Sequence, residues 1–526
     1  MSAPVLSTNA PSLGDLARPF GVTDRGLTFP SDGVRLSYDD IARQAATGGR
    51  YLTREGVRPG DAVAMTLSNN SASVIGAMSV WVAGGTLVSV PPVPRHAEPS
   101  HLDGVRQALT AMGCRTYLAD GAAPEAFHAM RVIDLPLLIG QEWGRFDRDP
   151  DLPPADMALV QFTSGSLGTA KGVAVSAEKL AGHLHAIAEH TQVDGERDRC
   201  FSWLPFYHDM GFVGMLLTCF GRRVDTTFVP PGEFAAAPAR WMIGVAQTGA
   251  TLTGGPDFAY RLAASAVYPE GLDVSSIRVC LSGAERVQWP SLTGFHNALA
   301  PAGLRWEAIG PCYGMAEGVV AATMTPLGRG PILGPNGHVS SGVPIPGVRL
   351  DAAPGPEPEP MRLGGDYIFD GYITASGFQP QQGEWFDTGD AGFMHEGELY
   401  VRGRLAEVIT AAGRNVFAED VEAVALRAGA PSVQAAAAFR YGPSGNRFAA
   451  VVELNHRLRP THEDAQAVGQ KVKGAVLHAL GVRVSPVILA KASTIPRTTS
   501  GKVQRARCRD SYDRGDLHPR VLAEID

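Results

Sequence analysis

The stretch of this sequence most suited to chemistry is a loop rich in glycine and hydroxyl side chains. Residues 161–176 read QFTSGSLGTAKGVAVS, and nine of the ten residues from Thr163 to Gly172 are Gly, Ser, Thr, Ala or Lys. Small residues let backbone N–H groups approach phosphate oxygens, while hydroxyls and Lys171 add donors. An apolar run precedes the loop and a helix is predicted near Ser176, so we expect a strand, a phosphate-binding loop and a helix in that order.

The spacing of this loop does not match three common motifs. A P-loop requires glycine before its lysine and a hydroxyl after it, whereas Ala170 precedes Lys171 and Gly172 follows it. The loop also lacks GxGxxG, and Ser166 is not in a GxSxG elbow because residue 164 is serine. Composition alone therefore leaves a flexible linker as the alternative interpretation.

Length and composition predict a globular enzyme. The 526 residues suggest about three domains, and 44% hydrophobic with 19% charged residues is typical of chains that bury large cores. A net charge of −7 argues against a nucleic-acid or anionic-membrane binder. Six cysteines without a CxxC pair indicate neither a zinc site nor a disulfide framework, so we expect a cytoplasmic protein. No secretory signal is expected, because the N-terminus lacks a basic leader and an apolar run.

The elements that must position the loop follow an α/β pattern. Apolar runs alternate with amphipathic stretches from about residue 35 to 350, which predicts β-sheets flanked by helices with ligands beyond the carboxyl ends of the strands. Residues 71–90 have the length of a membrane span, but Gly84 and Gly85 divide them into a predicted buried helix and strand.

A domain boundary is predicted within residues 401–408. The sequence beyond it is long enough for a small α+β domain. Its predicted elements are helices near 418–428 and across 461–480, and strands at 432–441 and 448–455.

Further motifs occur in a meaningful order. The loop resembles the [ST]SGSTGxPKG loop of the adenylate-forming superfamily, which includes acyl-CoA synthetases and fatty acyl-AMP ligases. Four later stretches are also similar to motifs of this superfamily. CYGMAEG matches YGxAE, and WFDTGDAG with GRLAEVI matches TGDxG with GRxxxxI. Nearer the C-terminus, GRNVFAEDVE is similar to GRNxYPxDIE, and PRTTSGKVQRARCR is similar to PxTxSGKxxR. Three stretches resemble motifs of the fatty acyl-AMP ligase branch in particular: WLPFYHDMGFVG resembles WLPxYHDMGL, GGPDFAYRL resembles GxPNFAY, and LSGAERV resembles NGAEPV. The sequence is thereby identified as a member of this superfamily, closest to that branch.

The resemblance implies an architecture and a reaction. Residues 1–403 would form a large N-terminal ATP- and acyl-binding domain, 404–406 a hinge and 407–526 a mobile C-terminal lid. A substrate carboxylate would attack the α-phosphate of ATP in a Mg²⁺-dependent step, with pyrophosphate leaving and acyl-AMP forming. No charged residue stands out as a partner for an amino group, so we expect a hydrophobic acid. CoA or the phosphopantetheine of an acyl carrier protein would accept the acyl group.

The resemblance also assigns roles to residues. Lys502 would bridge the attacking carboxylate and the α-phosphate, Glu317 would bind Mg²⁺, and His208 would lie at the mouth of the acyl pocket. Asp390 would accept hydrogen bonds from the ribose hydroxyls, and Arg404 would hold the ribose or a phosphate. The expected nucleotide contacts are Thr163, Ser164, Gly165, Ser166, Gly168, Thr169 and Lys171 for the phosphates, and Gly283, Ala284, Glu285, Tyr313, Gly314, Met315 and Ala316 around the adenine side.

Simpler interpretations accompany these roles. Lys502 stands in a basic tail with Arg497, Arg505, Arg507 and Arg509, which could be solvated or bind nucleic acid or an acidic carrier protein. His208 could be a structural histidine. The pair His185 and Glu189 lies one helical turn apart, but without a third ligand we interpret it as helix surface. The aromatic residues Trp203, Phe206, Phe212 and Phe258 either line an apolar tunnel or belong to the core.

Two features depart from the family pattern. The hinge usually has Asp or Lys two residues after the arginine of GR, where this chain has Ala406. Without a charged partner to settle either lid pose, the chain is expected to adenylate well and to form thioesters poorly or with a specialised acceptor. The insertion that fatty acyl-AMP ligases usually carry after YGxAE is absent, so a CoA ligase remains an alternative to an acyl-AMP ligase. The other classes considered are a P-loop-type kinase or NTPase and a non-catalytic nucleotide-binding regulator.

Overall fold

The computed structural model describes residues 21–93, 102–139, 156–163, 170–355, 357–411, 414–442, 445, 447–498 and 503–526. The chain divides into two compact units. Unit 1 comprises residues 1–351, 362–386 and 396–399, and unit 2 comprises residues 352–361, 387–395 and 400–526. A large N-terminal unit of sheets and helices with a smaller C-terminal unit confirms the predicted fold class, whereas the hinge at 404–406 stays a prediction.

The strands up to residue 380 are short, and those in the parallel parts of the two large sheets are mostly apolar, as buried parallel strands are. They are β1 (Gly26–Phe29), β2 (Val34–Ser37), β3 (Ala62–Met65), β4 (Thr86–Ser89), β5 (Thr116–Ala119), β6 (Arg131–Asp134), β7 (Met157–Thr163), β8 (Lys171–Ser176), β9 (Arg199–Ser202), β10 (Asp225–Phe228), β11 (Leu252–Pro256), β12 (Val279–Gly283), β13 (Ile309–Tyr313), β14 (Thr323–Met324), β15 (Val343–Pro344), β16 (Val348–Asp351), β17 (Glu359–Gly365), β18 (Gly371–Thr374) and β19 (Gly377–Pro380).

The α-helices of unit 1 connect these strands. They are α1 (Tyr38–Arg54), α2 (Ser71–Val82), α3 (Asp103–Ala111), α4 (Ala177–Thr191), α5 (Thr218–Gly221), α6 (Pro231–Ala236), α7 (Ala239–Thr248), α8 (Asp257–Ala264) and α9 (Trp289–Leu299). The predicted division of residues 71–90 is confirmed: α2 ends before Gly84, which adopts φ 75°, and β4 follows. Within the described ranges, none of the helices combines the length and apolar character that crossing a bilayer requires.

Unit 1 contains two large sheets around one continuous core. One sheet has the order β15-β14-β13-β12-β11-β9-β10-β1-β2 and the other β19-β18-β8-β7-β4-β3-β5-β6. Strands β13, β12, β11, β9, β10 and β1 run parallel, as do β7, β4, β3, β5 and β6. Buried side chains from both sheets belong to the same apolar cluster, so their carboxyl edges are held by a common core.

The structure differs from the sequence prediction immediately after the hydroxyl-rich loop. We expected strand, loop and helix, but residues 171–176 form β8, which pairs antiparallel with β7 and places Thr163 opposite Lys171. Helix α4 begins at Ala177 with Ser176 at its N-cap, which confirms the helix predicted near Ser176, whereas the strand between the loop and this helix was not predicted. The reason is burial: Val173, Ala174 and Val175 are all covered, and β-branched residues covered on both faces favour a central strand. The loop therefore connects the two strands of a hairpin.

Unit 2 contains a four-stranded sheet with helices on both faces. The remaining strands are β20 (Trp385–His395), β21 (Glu398–Arg404), β22 (Val408–Ala411), β23 (Arg414–Phe417), β24 (Val433–Tyr441), β25 (Arg447–Leu454), β26 (Val484–Ala490) and β27 (Val521–Ile525), and the helices are α10 (Ala418–Gly429), α11 (His462–Leu480) and α12 (Arg505–Asp513). The sheet order is β24-β25-β26-β27. Helices α10 and α11 cover one face and α12 the other. Both predicted helices and both predicted strands of this region are confirmed.

Candidate active site

The predicted metal ligand and the predicted phosphate lysine converge on one tyrosine in unit 1. Glu317 lies in the short 3₁₀ turn after β13, and its Oε1 accepts a hydrogen bond from the Tyr372 hydroxyl at 2.7 Å. Lys171 Nζ lies 5.1 Å from the centre of the Tyr372 ring. This geometry places a carboxylate at the hydroxyl of a tyrosine and an ammonium over its ring, with Lys171 in range of a cation–π contact.

The sequence analysis did not identify Tyr372, because this residue belongs to none of the motifs. It lies in the four-residue strand β18, which pairs antiparallel with β8 so that Tyr372 is opposite Val173. That register brings it next to the strand that begins at Lys171. Tyr372 and Lys171 come together only through strand pairing across about two hundred residues of sequence, and no motif or periodicity predicts this pairing.

The loop after β12 holds the second group of predicted residues. Ala284 adopts φ 65°, a left-handed conformation uncommon for a residue with a side chain. This turn directs Glu285 back to α8, where its Oε1 accepts the Phe258 N–H at 2.6 Å. A carboxylate at a helix N-terminus is electrostatically favourable. The adenine contact expected of Glu285 stays a prediction, and the structure adds this capping role.

The ends of β12 and β13 are packed too closely for larger residues. A Cβ at Gly283 would lie 2.6 Å from Cys312 Sγ, and one at Gly314 would collide with the Val320 carbonyl. Tyr313, which ends β13, donates its hydroxyl to Met315 Sδ at 3.8 Å. Ala316 is nearly buried at the start of the Glu317 turn. These contacts hold the predicted adenine-side residues on adjoining strand ends.

A buried carboxylate that the sequence analysis missed supports the same loop. Asp257 begins α8, and its carboxylate accepts hydrogen bonds from Gln288 N–H and Ser291 Oγ, each at 2.8 Å. Burial, and then the charge of Glu285, raise the pKa of Asp257 to about 7. The signal was present in the sequence, because the GxPNFAY pattern has asparagine where this chain has Asp257.

His208 lies directly before an unusual helical segment. Its Nδ1 is 2.5 Å from Asp209 Oδ1, and residues Met210–Leu217 form a π-helix, a rare conformation that is frequent at functional sites. The aromatic residues around it divide into two groups. Phe206 and Phe212 are fully buried core residues, whereas Phe258 is half-buried.

In unit 2, Asp390 and Arg404 form an ion pair. Asp390 is 6% exposed, and its Oδ1 lies 2.9 Å from Arg404 Nε. Arg404 also donates to the Thr388 carbonyl at 3.1 Å, and the Thr388 hydroxyl accepts the Asp390 N–H at 3.0 Å. These contacts orient a carboxylate whose remaining lone pairs suit hydroxyl donors. Ribose binding by this pair stays a prediction.

Arg505 is not part of a solvated basic tail, contrary to the simpler interpretation. Its guanidinium binds Glu422 through two nitrogens at 2.7 Å each, Glu407 at 2.7 Å and Glu419 at 2.9 Å. Burial raises the pKa of Glu407 to about 7, with Arg505 opposing and the other two carboxylates reinforcing the shift. Arg505 thus connects α12 with α10 and with Glu407, the residue after Ala406.

Several predicted residues lie outside the described residues. They are Ser164, Gly165, Ser166, Gly168, Thr169 and Lys502, and Thr163 is described by its backbone alone. Within the described chain, no group of three or more His, Cys, Asp or Glu side chains could hold a metal ion. His185 and Glu189 lie 3.9 Å apart on the exposed side of α4, in agreement with a helix surface.

Comparisons with known proteins agree with this geometry. The profile of the family described as "AMP-binding enzyme" matches residues 22–377. The chain is 28% identical to a long-chain-fatty-acid–AMP ligase of Mycobacterium marinum, over 91% of this chain and 89% of the relative. It is 28% identical to a medium-chain-fatty-acid–[acyl-carrier-protein] ligase of Moorena producens, over 73% and 72%. A structure from a study of fatty acyl-adenylate ligases from E. coli and L. pneumophila superposes with a TM-score of 0.82 at 23% identity, covering 97% of this chain and 99% of that one.

Proposed function

This chain belongs to the AMP-binding enzyme family, and from that premise we propose that it activates a hydrophobic carboxylic acid as acyl-AMP. An oxygen of the acid attacks the α-phosphorus of ATP, a new carboxyl O–P bond forms, and the bond to the bridging oxygen of the β-phosphate breaks. That oxygen leaves as part of pyrophosphate. Such a reaction depends on positioning and charge neutralisation more than on a protein nucleophile.

The convergence of Glu317, Tyr372 and Lys171 is the observation that carries this proposal. Tyr372 donates to Oε1 of Glu317, and a carboxylate held in this way fits a hard cation that takes one or two protein oxygens. Bound there, Mg²⁺ would neutralise phosphate oxygens. Lys171, in contact with the same ring, would stabilise the leaving pyrophosphate. Neutralising the negative charge that develops on pyrophosphate lowers the barrier for breaking its bond to the α-phosphorus.

The other roles follow from the resemblance. Lys502 would contact the attacking carboxylate and the α-phosphate, where negative charge accumulates in the transition state. Asp390 and Arg404 would hold the ribose, and their ion pair supports this because Arg404 orients an oxygen acceptor. His208 would contact the acid at the pocket mouth.

The second half-reaction would transfer the acyl group to a thiol. A relative named as an acyl-carrier-protein ligase supports a phosphopantetheine acceptor, and a relative named as a putative fatty-acid–CoA ligase supports CoA. Ala406 provides no charged hinge residue, so we infer that thioester formation is slow without the specific acceptor. All six cysteines are free thiols and five are buried, which favours a reducing cytoplasm.

Acid-dependent exchange of labelled pyrophosphate into ATP tests the proposal. Lys502→Ala is expected to abolish exchange, whereas Arg507→Ala, at an exposed position of the same segment, is the matched control and should retain it. Unchanged exchange in Lys502→Ala would refute the role of this lysine. Formation of ADP in place of AMP would refute the reaction.

A further inference from the structure

Helix α4 contains a buried histidine that contacts the segment carrying Glu317. The side chain of His183 is fully buried, and its Nε2 accepts the Ala321 N–H at 3.3 Å. Because Nε2 is the acceptor, the proton of the neutral ring lies on Nδ1. Burial lowers the pKa of His183 to about 3, so the ring is neutral at physiological pH and Nε2 keeps its lone pair.

The second ring nitrogen of this histidine is unsatisfied. Within the described part of the chain, His183 Nδ1 has no hydrogen-bond partner. A buried N–H without an acceptor destabilises a fold, and such groups are rare in native proteins. An apolar side chain would avoid this cost but could not accept the Ala321 N–H. Among the described residues, the contact with Ala321 is therefore what His183 offers that an apolar residue would not.

Ala321 follows a strained turn directly after Glu317. The 3₁₀ turn that contains Glu317 ends at Val319, whose φ of 62° and ψ of −51° are rare for a β-branched residue. Across this residue the Val320 N–H donates to the Gly318 carbonyl at 2.7 Å, which is the hydrogen bond of a strained γ-turn. Such a backbone conformation persists only where the surrounding structure holds it.

Contacts before and after the strained residue hold the turn in place. Before it, the Glu317 carbonyl accepts the Phe369 N–H at 2.9 Å. The Phe369 carbonyl accepts from Lys179 Nζ at 3.3 Å, and Lys179 lies on α4 one helical turn before His183. After the strained residue, His183 itself accepts the next free amide of the chain. Helix α4 therefore supports the turn from both ends.

We propose that His183 is a positioning residue for Glu317: by accepting the Ala321 N–H, it fixes the turn in the conformation in which the carboxylate would bind Mg²⁺. The Tyr372 hydroxyl orients this carboxylate directly, whereas His183 acts through the backbone. The inference rests on the proposed function and adds a residue to its metal-binding part. Loss of the His183 acceptor should therefore weaken ATP binding in the presence of Mg²⁺ more than in its absence.

Calorimetric titration with ATP, without an acid substrate, tests this role. Each enzyme is titrated in Mg²⁺ and in EDTA, and the readout is the ratio of the Kd in EDTA to the Kd in Mg²⁺. His183→Met removes the acceptor at a similar side-chain volume and should lower this ratio about fivefold, as expected for the loss of one neutral hydrogen bond. His183→Gln provides an oxygen with the reach of Nε2, so it should retain the ratio of the wild type.

His190→Met is the matched control. His190 lies on the same helix, and its Nε2 is 3.3 Å from the Thr325 carbonyl oxygen, so this variant also removes a histidine contact between α4 and the segment after Glu317. Because Thr325 lies beyond the strained turn, the ratio should keep its wild-type value. Thermal unfolding measures the stability of each variant without ligand. If His183→Met fails to fold, His183→Asn, whose side chain is too short to reach Ala321, is the second variant without the acceptor.

The outcomes separate this inference from the function beneath it. A fall in the ratio confined to the variant without the acceptor, with the Kd in EDTA unchanged, supports it. An unchanged ratio in that variant, or an equal fall in His183→Gln or in His190→Met, would overturn the positioning role. Glu317→Gln should lower the ratio further than any His183 variant. A wild-type ratio in Glu317→Gln would refute the metal site of the proposed function, whatever the His183 variants show.

Discussion

Replacing Asp257 by asparagine should remove a pH-dependent loss of stability from unit 1. The Asp257 carboxyl is buried between α8 and α9, and burial together with the charge of Glu285 raises its pKa from 3.8 to about 7. An acid with a higher pKa in the folded state stabilises the fold while it is protonated there. This contribution is complete below pH 4 and is lost as the pH rises through 7.

The magnitude follows from the shift. About three pKa units correspond to at most about 4 kcal/mol between pH 4 and pH 8. An asparagine side chain at this position cannot ionise, yet its oxygen can accept the Gln288 N–H and its amide can donate to Ser291 Oγ, so both present hydrogen bonds of Asp257 have neutral equivalents. We therefore expect Asp257→Asn to match the wild type near pH 4 and to exceed its stability at pH 8.

Urea denaturation followed by tryptophan fluorescence measures this effect. All seven tryptophans precede residue 387 in the sequence, and the six that the structure describes belong to unit 1, so the signal reports the unit that contains Asp257. Asp273→Asn is the control: hydrogen bonds from Ser275 hold the pKa of Asp273 below its usual range, so that variant should leave the profile above pH 5 unchanged. Parallel pH profiles for wild type and Asp257→Asn would refute the reasoning.

Two further variants test the remaining contacts. Tyr372→Phe keeps the ring beside Lys171 but removes the donor to Glu317, and loss of one hydrogen bond to a carboxylate should lower kcat/KM for Mg-ATP about tenfold in the exchange assay; an unchanged value at every Mg²⁺ concentration would contradict it. Arg505→Met leaves three carboxylates without their cation and should destabilise unit 2 by about 3–5 kcal/mol. Hydrogen exchange of α10 measures this, with Arg507→Met as control, and equal protection in both variants would contradict it.

Local sequence patterns predicted the fold class of this protein and several of its elements. The alternation of apolar and amphipathic stretches predicted sheets flanked by helices, and the glycines at 84 and 85 separated α2 from β4. The four elements predicted after residue 417 are all present. Such patterns succeed because side-chain periodicity reports which face of a helix or strand is buried.

The same reasoning was wrong where burial depended on distant partners. The helix predicted near Ser176 is present, but the strand from Lys171 to Ser176, which pairs with β7 and β18, was not predicted. Arg505 has the local surroundings of an exposed basic tail. It is buried because Glu407, Glu419 and Glu422 come from segments more than eighty residues away.

The sequence by itself determined the types of groups available for chemistry and their order along the chain: a hydroxyl-rich loop, a carboxylate at 317, another at 390 and a lysine at 502. The tertiary structure decided which groups meet. Tyr372 joins Lys171 to Glu317, and Asp257 supports the loop of Glu285. The physical reason is that contacts across a sheet depend on strand order and register, which the packing of whole elements selects and which no short stretch of sequence encodes.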